Sequence, residues 1–186
     1  MVMPWKNGGG VTREVIRFPP DSDLDNFAWR ISVATVGVAG PFSTFPGVDR
    51  SLALIGGELL VSRQSKPFTL TSKAPIFEFA GEERVDSSLT AGPATDFNVM
   101  TRRQQHTHKL ICIAVSGQLR VPAPHLNHIN VVYVIRGGLN IHHPTQVTAR
   151  LTPGDAVLLT TPDDELILSA ADAEVMLVNI GKVAEL

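Results

Sequence analysis

The stretch NVVYVIRGGLNI (130–141), which is followed by LTPGDAVLLT (151–160), is built from short apolar runs. Two glycines separate the first run from the second, and a Pro-Gly-Asp turn precedes the third. Valine, isoleucine and aromatic residues bounded by Gly, Pro, Asp and Asn are typical of β-strands, because their side chains fit a pleated surface. The stretch therefore predicts a hairpin with a glycine turn and then a third strand.

The same pattern continues along the whole chain, which has 15 glycines and 13 prolines in 186 residues. No window of about a dozen residues shows the apolar period of about 3.6 residues that marks a helix. Many short strands with turns between them favour an all-β sandwich or barrel. The candidate strands are 11–17, 28–36, 51–56, 58–62, 67–70, 76–79, 95–103, 109–115, 130–135, 139–142, 147–151, 156–160, 165–168 and 174–180.

An internal repeat is found when the chain is shifted by 81 residues without gaps, which places Gly56-Gly57 on Gly137-Gly138. Side chains alternate with a period of two along a strand, so a register kept this long predicts that the same faces point inward in both copies. Two alternating segments also resemble each other by chance, which is the alternative. We favour two tandem β-units, 1–104 and 105–186.

The composition, with 44% hydrophobic and 18% charged residues, is that of a folded domain. A net charge of −2 argues against a protein that binds nucleic acid or an anionic membrane. The longest apolar runs are about six residues, too short to span a bilayer, and residues 1–10 do not resemble a signal peptide. The single cysteine, Cys112, lies in an apolar run and is expected to be buried. We expect a soluble, cytoplasmic protein.

Three segments of the first half carry a family resemblance: PWKNGGGVTRE (4–14), FAWRISVATVGVAGPFSTFPGVDR (27–50) and GPATDFNVMTRR (92–103). Together they resemble the HutD/Ves family, and the stretch at 131–160 resembles the cupin pattern. The resemblance covers the whole chain and implies an all-β bicupin, in which two cupin-like β-rolls are packed together. It also implies a ligand cavity in the first β-roll.

Cupins often bind a metal through His-x-His, a Glu and a later His, but this chain lacks those ligands. In the second copy the corresponding positions hold Pro124, Leu126, Asn130 and Val157, and in the first copy Ser43, Phe45, Asp49 and Ile76. A metal needs three or four converging N, O or S donors. No Gly-x-Ser-x-Gly motif or persuasive triad is present either. We expect no metal, no cofactor and no catalytic residue, which makes an enzyme the less favoured interpretation.

The segment WKNGGGVTRE (5–14) is the best candidate for a binding element. Lys6 supplies a cation and Asn7 an amide, while Gly8 and Gly9 allow a close approach of backbone N–H groups to a ligand. Thr12 lies on the polar face of the strand that follows. The alternative is a flexible glycine turn that leads into an edge strand.

Two strands alternate cleanly and present polar faces. Arg30 and Ser32 share one face in AWRISVAT, and Asn98, Met100 and Arg102 share one in DFNVMTRR. Such a face lines either solvent or a cavity, and the resemblance favours the cavity. The predicted ligand-binding residues are Lys6, Asn7, Gly8, Gly9, Thr12, Arg30, Ser32, Asn98, Met100 and Arg102. We further expect the segment 40–50 to wall the cavity with Phe42 and Phe45, and to be tied at its base by Asp49 and Arg50; the alternative is that both phenylalanines are core residues.

Arginine binds carboxylates in a bidentate geometry, so the expected partner is a small acidic metabolite. The resemblance implies a regulator of histidine degradation that binds formiminoglutamate, formylglutamate or urocanate. One alternative is a cupin-type isomerase or hydrolase acting on a small polar metabolite. Another is a partner-binding module with a closed, packed interior. The edge strands make a homodimer a reasonable expectation, with neither nucleic acid nor membrane as a partner.

Overall fold

A computed structural model describes residues 2–5, 8–64, 66–71, 76–143, 146–162 and 165–184, with the backbone alone at 146–147. The described residues form β-strands and turns. None of them belongs to a helix with the length and apolar character needed to cross a membrane. The chain divides into two compact units, 1–107 and 108–186, whereas the sequence placed the boundary at 104/105.

The first unit contains two antiparallel sheets. Its strands are β1 (Val2–Pro4), β2 (Gly10–Phe18), β3 (Trp29–Val36), β4 (Gly40–Pro41), β5 (Val48–Gly56), β6 (Leu59–Arg63), β7 (Lys66–Leu70), β8 (Phe77–Ala80), β9 (Val85–Leu89) and β10 (Ala94–Arg102). One sheet has the order β1-β2-β3-β10-β5-β8, and the other β4-β9-β6-β7. Strand β10 therefore lies between β3 and β5.

The core of the first unit is formed by buried apolar side chains from both sheets. They are Val36, Leu52, Leu54, Leu59, Val61, Leu70, Phe77, Phe79, Val85 and Ala94. Residues directly opposite one another on antiparallel strands point to the same face. Ala94 is paired with Val36 on β3, so these two side chains enter the core together.

The second unit is built around one sheet. Its strands are β11 (His106–Val121), which begins at the unit boundary, β12 (His128–Arg136), β13 (Leu139–His143), β14 (Gln146–Leu151), β15 (Ala156–Leu159) and β16 (Leu166–Lys182). The order is β14-β13-β16-β12-β15, and β11 pairs with β16. Its core includes Val132, Val134, Leu139, Leu159, Leu168 and Val175.

Two of the expected strands are joined in the structure. The runs 165–168 and 174–180 form the single strand β16, because β13 pairs with its first part and β12 with its second. The sequence did not predict β1, β4 or β9. Strand β9 has the sequence VDSSL, and it is held by backbone pairing with β6 and by the Ser87 hydroxyl, which donates to the Gly40 carbonyl at 2.8 Å.

The expectation that Cys112 is buried is wrong. Cys112 is exposed on β11, which among the described strands pairs with β16 alone and so lies at the sheet edge. Its thiol donates to Oε1 of Glu174 at 3.2 Å. Desolvation and the neighbouring carboxylate raise the pKa of the thiol to about 12. The thiol is therefore protonated at neutral pH, in the form that is a poor nucleophile.

The glycine turn repeats at a spacing of 80 residues, so the register given by a shift of 81 is one residue wrong there. Gly57 and Gly137 are the equivalent positions, with φ of +77° and +80°. A Cβ built on Gly57 lies 2.7 Å from the Pro93 carbonyl oxygen. A register shift in the β13–β14 hairpin restores the spacing of 81 at Leu70 and Leu151.

We predict that Gly57→Ala lowers the free energy of unfolding more than Gly92→Ala does. Both glycines have positive φ, so each alanine carries a left-handed backbone cost of about 1–2 kcal/mol. A Cβ on Gly92 meets nothing within 4 Å, whereas one on Gly57 meets the backbone of Pro93 and Ala94. Urea denaturation of both variants measures the difference. Equal losses would show that the turn relaxes without cost.

Candidate functional site

The inward face of the larger sheet changes from apolar to polar along its strands. On β10, Ala94 belongs to the core, whereas Asp96, Asn98 and Met100 on the same face line a cavity. The paired strands change in the same direction. On β3, Ala34, Ser32 and Arg30 lie opposite these three residues, and on β5 Leu54, Leu52 and Arg50 do. The alternation of each strand therefore places the polar side chains together.

The cavity lies in the first unit and has a volume of about 640 Å³, within the range of about 300–1,000 Å³ that is typical of small-molecule sites. The structure brings together in its lining the predicted residues Thr12, Arg30, Ser32, Asn98 and Met100. Phe42 and Phe45 also line it, as expected of the segment 40–50. Further lining comes from the segment at Met3–Trp5 and from Leu24 and Asp25.

Arg30 is buried and already has a carboxylate partner. Its Nε donates to Oε2 of Glu14 on β2 at 2.9 Å, and its Nη1 donates to the Ser32 hydroxyl at 3.4 Å. The two ionic side chains are 6% and 12% exposed. A buried pair of this kind fixes the position of the guanidinium, because breaking it would leave a buried charge.

Arg50 is a second cation in the cavity lining and was not among the predicted ligand-binding residues. It is 5% exposed, and its guanidinium lies over the rings of Phe42, Phe45 and Phe79 at 5.7, 5.5 and 4.7 Å from the ring centres. Nη1 donates to the Ser43 carbonyl at 3.0 Å, whereas Nε is buried with no partner among the described residues. Desolvation lowers the pKa of Arg50 to about 10, so it is charged at neutral pH.

Arg50 and Asp49 were expected to tie the base of the segment 40–50. Arg50 does so through the Ser43 carbonyl. The expectation is wrong for Asp49, because these neighbours point to opposite faces of β5. The Asp49 carboxylate is paired with Nε of Arg103 at 2.8 Å, at the exposed surface. The position of Arg50 was accessible from the sequence, because Arg50, Leu52 and Leu54 alternate on one face of the strand.

Asp96 is a buried carboxyl group in the cavity lining and was likewise not predicted to be part of the site. It is 1% exposed, and neither of its oxygens has a hydrogen-bond partner among the described residues. Desolvation raises the pKa of Asp96 to about 7, and the positive charge of Arg50 opposes that rise. Perturbed carboxyl groups in cavities are frequent at functional sites.

Arg102 is not brought into the cavity. Its Nε donates to the Phe27 carbonyl at 3.1 Å, and its other nitrogens donate to the carbonyls of Asp25 and Pro46. Its guanidinium also lies over the Phe27 ring at 5.4 Å. Through these contacts Arg102 links the loop before β3 to the loop before β5.

The glycine segment is a turn between β1 and β2, and the structure does not bring Gly8 and Gly9 to the cavity. The Gly8 N–H donates to the Trp5 carbonyl at 2.9 Å, and the Gly9 carbonyl accepts from Gly37 at 2.8 Å. The turn positions the Trp5 indole, whose Nε1 donates to the Thr12 hydroxyl at 2.8 Å. Lys6 and Asn7 lie outside the described residues, and their roles stay predictions.

The site does not fit the metal centre of a cupin. Among its described lining residues there is no His, Cys or Glu. The described part of the chain contains no cluster of three or more His, Cys, Asp or Glu side chains that would hold a metal ion. What the cavity offers instead is hydrogen bonding and charge, from arginine, carboxyl, amide and hydroxyl groups.

Comparison with known sequences relates the chain to bacterial proteins. The chain is 40% identical over 111 residues to an uncharacterized 21.2 kDa protein in the hutC 3′ region of Pseudomonas putida, covering 58% of this chain and 57% of that one. It is 44% identical over 101 residues to protein Ves of Escherichia fergusonii, covering 53% and 51%. The chain thus matches little more than half the length of these curated relatives.

Comparison with solved structures extends over nearly the whole chain. A conserved protein of unknown function from Pseudomonas aeruginosa PAO1 has a TM-score of 0.85 at 28% identity, covering 97% of this chain and 94% of that one. HutD from Pseudomonas fluorescens SBW25 has a TM-score of 0.80 at 24% identity, with 99% and 95% covered. A cupin 2 conserved barrel domain protein from Leptotrichia buccalis has a TM-score of 0.58 at 9% identity, with 98% and 96% covered.

These neighbours confirm the prediction of an all-β, tandem cupin-like fold. The HutD family model matches residues 1–178. The resemblance seen in the sequence motifs is therefore confirmed, and the chain belongs to the HutD family.

Proposed function

We propose that the cavity of the first unit binds a small acidic metabolite of histidine degradation and that this binding limits the activity of the pathway. Family membership and the relative named from the hutC 3′ region support a link to histidine utilisation. The candidate ligands are formiminoglutamate, formylglutamate and urocanate, all of which are small carboxylates. We retain a cytoplasmic location, a homodimer and the absence of a cofactor as parts of the proposal.

The observation that carries the proposal is the buried Nε of Arg50. An unpaired N–H donor in a buried position is costly, and a charged donor more so. The sheet neighbour of Arg50 on β10 is Met100, which offers no side-chain oxygen. A ligand carboxylate in the cavity would accept from this N–H, in a charge-assisted hydrogen bond of the kind that arginine forms best.

Arg30 supports the same conclusion by its charge. It lies on the other side of β10 from Arg50, since Met100 is paired with both residues. Glu14 neutralises Arg30 in part, so the two arginines together favour an anion without repelling each other strongly. The aromatic rings beside Arg50 exclude water from the cation and strengthen its interaction with a bound carboxylate.

We predict that Arg50→Gln weakens binding of these acids by about 10- to 100-fold, the value of one charge-assisted hydrogen bond. Titration calorimetry with formylglutamate measures the effect. Arg84→Gln is the matched control, because Arg84 is exposed and lies outside the cavity. Arg50→Lys, which keeps the charge, should retain part of the affinity. Equal affinities of Arg50→Gln and wild type would overturn the site.

The second candidate function is a cupin-type isomerase or hydrolase, which is favoured by one observation, the buried carboxyl group of Asp96 in the cavity lining, which has no hydrogen-bond partner among the described residues and whose pKa burial raises to about 7. A carboxyl group with such a pKa suits proton transfer at neutral pH. An enzyme would convert the bound acid, whereas a sensor releases it unchanged. We predict that NMR spectra of the acids incubated with the protein stay constant over hours. Conversion that is lost in Asp96→Asn would establish the enzyme instead.

A further inference from the structure

The cavity contains three acceptor oxygens that have no donor among the described residues. Two belong to the Asp96 carboxyl group and one is Oδ1 of Asn98, two residues further along the same face of β10. Asp96 is 1% exposed and Asn98 is 7% exposed, so both side chains are buried, and both belong to the cavity lining. Buried acceptors are nearly always hydrogen-bonded in folded proteins. These three unpartnered acceptors on one face of the cavity are therefore suited to a ligand that carries hydrogen-bond donors.

The sheet explains why the fold leaves these oxygens unpaired. Asp96 lies between Ala34 on β3 and Leu54 on β5, neither of which carries a side-chain donor. Asn98 lies between Ser32 and Leu52. The Ser32 hydroxyl accepts from Arg30 and makes no hydrogen bond to Oδ1 of Asn98. The strand neighbours of Asp96 and Asn98 therefore supply no donor to these oxygens, and both side chains line the cavity.

The cavity therefore has two kinds of unmet hydrogen-bonding group. Nε of Arg50 is a charged donor, and the three oxygens of Asp96 and Asn98 are acceptors, two of which belong to a carboxyl group that becomes an anion. We infer that the ligand carries a nitrogen cation as well as a carboxylate, and that Asp96 and Asn98 bind the nitrogen end. This inference rests on the proposed function of the same cavity.

The candidate ligands differ at this nitrogen. The formimino group of formiminoglutamate is an amidinium, a planar cation with several N–H donors, which a carboxylate binds in two parallel hydrogen bonds. Formylglutamate has a neutral amide with a single N–H in the same position. We therefore expect the site to bind an amidinium dicarboxylate in preference to its formyl analogue.

The affinity for a cationic ligand should depend on pH, because the Asp96 carboxyl group titrates. Burial raises its pKa to about 7, and a cation binds the ionised carboxylate, so affinity for the amidinium falls as the pH drops below about 7. The charged groups that face Asp96 are Arg50 from β5, Arg30 from β3 with Glu14 behind it on β2, and Asp25 from the loop after β2. The amidinium does not titrate between pH 6 and 8.

The same carboxyl group affects the stability of the free protein. Its pKa is about 7 in the folded protein, whereas an aspartate in the unfolded chain has the ordinary value of 3.8. Between pH 3.8 and pH 7 the folded state therefore binds more protons than the unfolded state. The stability that Asp96 contributes is present below pH 3.8 and is lost as the pH rises to about 7. Asp96→Asn removes this loss, so the variant should have a higher Tm than wild type at pH 8 and a similar Tm at pH 4.

The test is calorimetric titration of wild type, Asp96→Asn and the exposed control Asp172→Asn with formiminoglutamate and with formylglutamate. At pH 8 we expect wild type and the control to bind formiminoglutamate at least tenfold more tightly than formylglutamate. In Asp96→Asn this preference is lost, while affinity for formylglutamate is kept. Between pH 8 and pH 6, wild type loses about tenfold in affinity for formiminoglutamate, as the fraction of ionised Asp96 falls.

Two results would contradict the inference in distinguishable ways. If both acids bind equally to wild type, or Asp96→Asn keeps the preference, the nitrogen site is wrong and the carboxylate site stands. If neither acid binds to wild type, the proposed function fails together with the inference. The wild-type pH profile decides the matter even if Asp96→Asn does not fold, because a flat profile from pH 6 to pH 8 contradicts the role of Asp96.

Discussion

Strand β10 is buried on both of its faces, and the organisation of the first unit depends on this constraint. One face carries Phe97 and Val99, which are fully buried, and the other carries Asp96 and Asn98. A central strand obtains all its backbone hydrogen bonds from its neighbours, here β3 and β5, so the strand itself needs no polar side chain. Buried polar side chains on such a strand therefore require another explanation, and the cavity that they line provides it.

The interior of the first unit has two parts, an apolar core and a cavity with a partly polar lining. Leu52, Leu54 and the aromatic side chains of β8 form a dry core, while Arg50 on the same strand face enters the cavity. Burying Asp96 without a partner destabilises the fold at neutral pH. The apolar side chains buried in the adjoining core offset this cost. Groups held in such a costly state are typical of sites where a ligand supplies the missing interaction.

Much of the site could be predicted from the sequence, because successive side chains of a strand point to opposite faces and residues two apart therefore share a face. This alternation placed Arg30 and Ser32 on one face and Asn98 and Met100 on another, and the structure brings both faces to one cavity. It failed at Arg102, the last residue of its strand, where nearby loop carbonyls draw the guanidinium away. Strand β9 was missed because VDSSL has no apolar pattern, and its pairing comes from strands distant in sequence.

The most direct measurement is a crystal structure of the protein grown with formiminoglutamate. We expect a carboxylate within hydrogen-bond distance of Nε of Arg50 and the formimino nitrogens against Asp96 and Asn98, inside the cavity of the first unit. A ligand bound outside this cavity, or with its carboxylate against Asp96, would contradict this mode of binding.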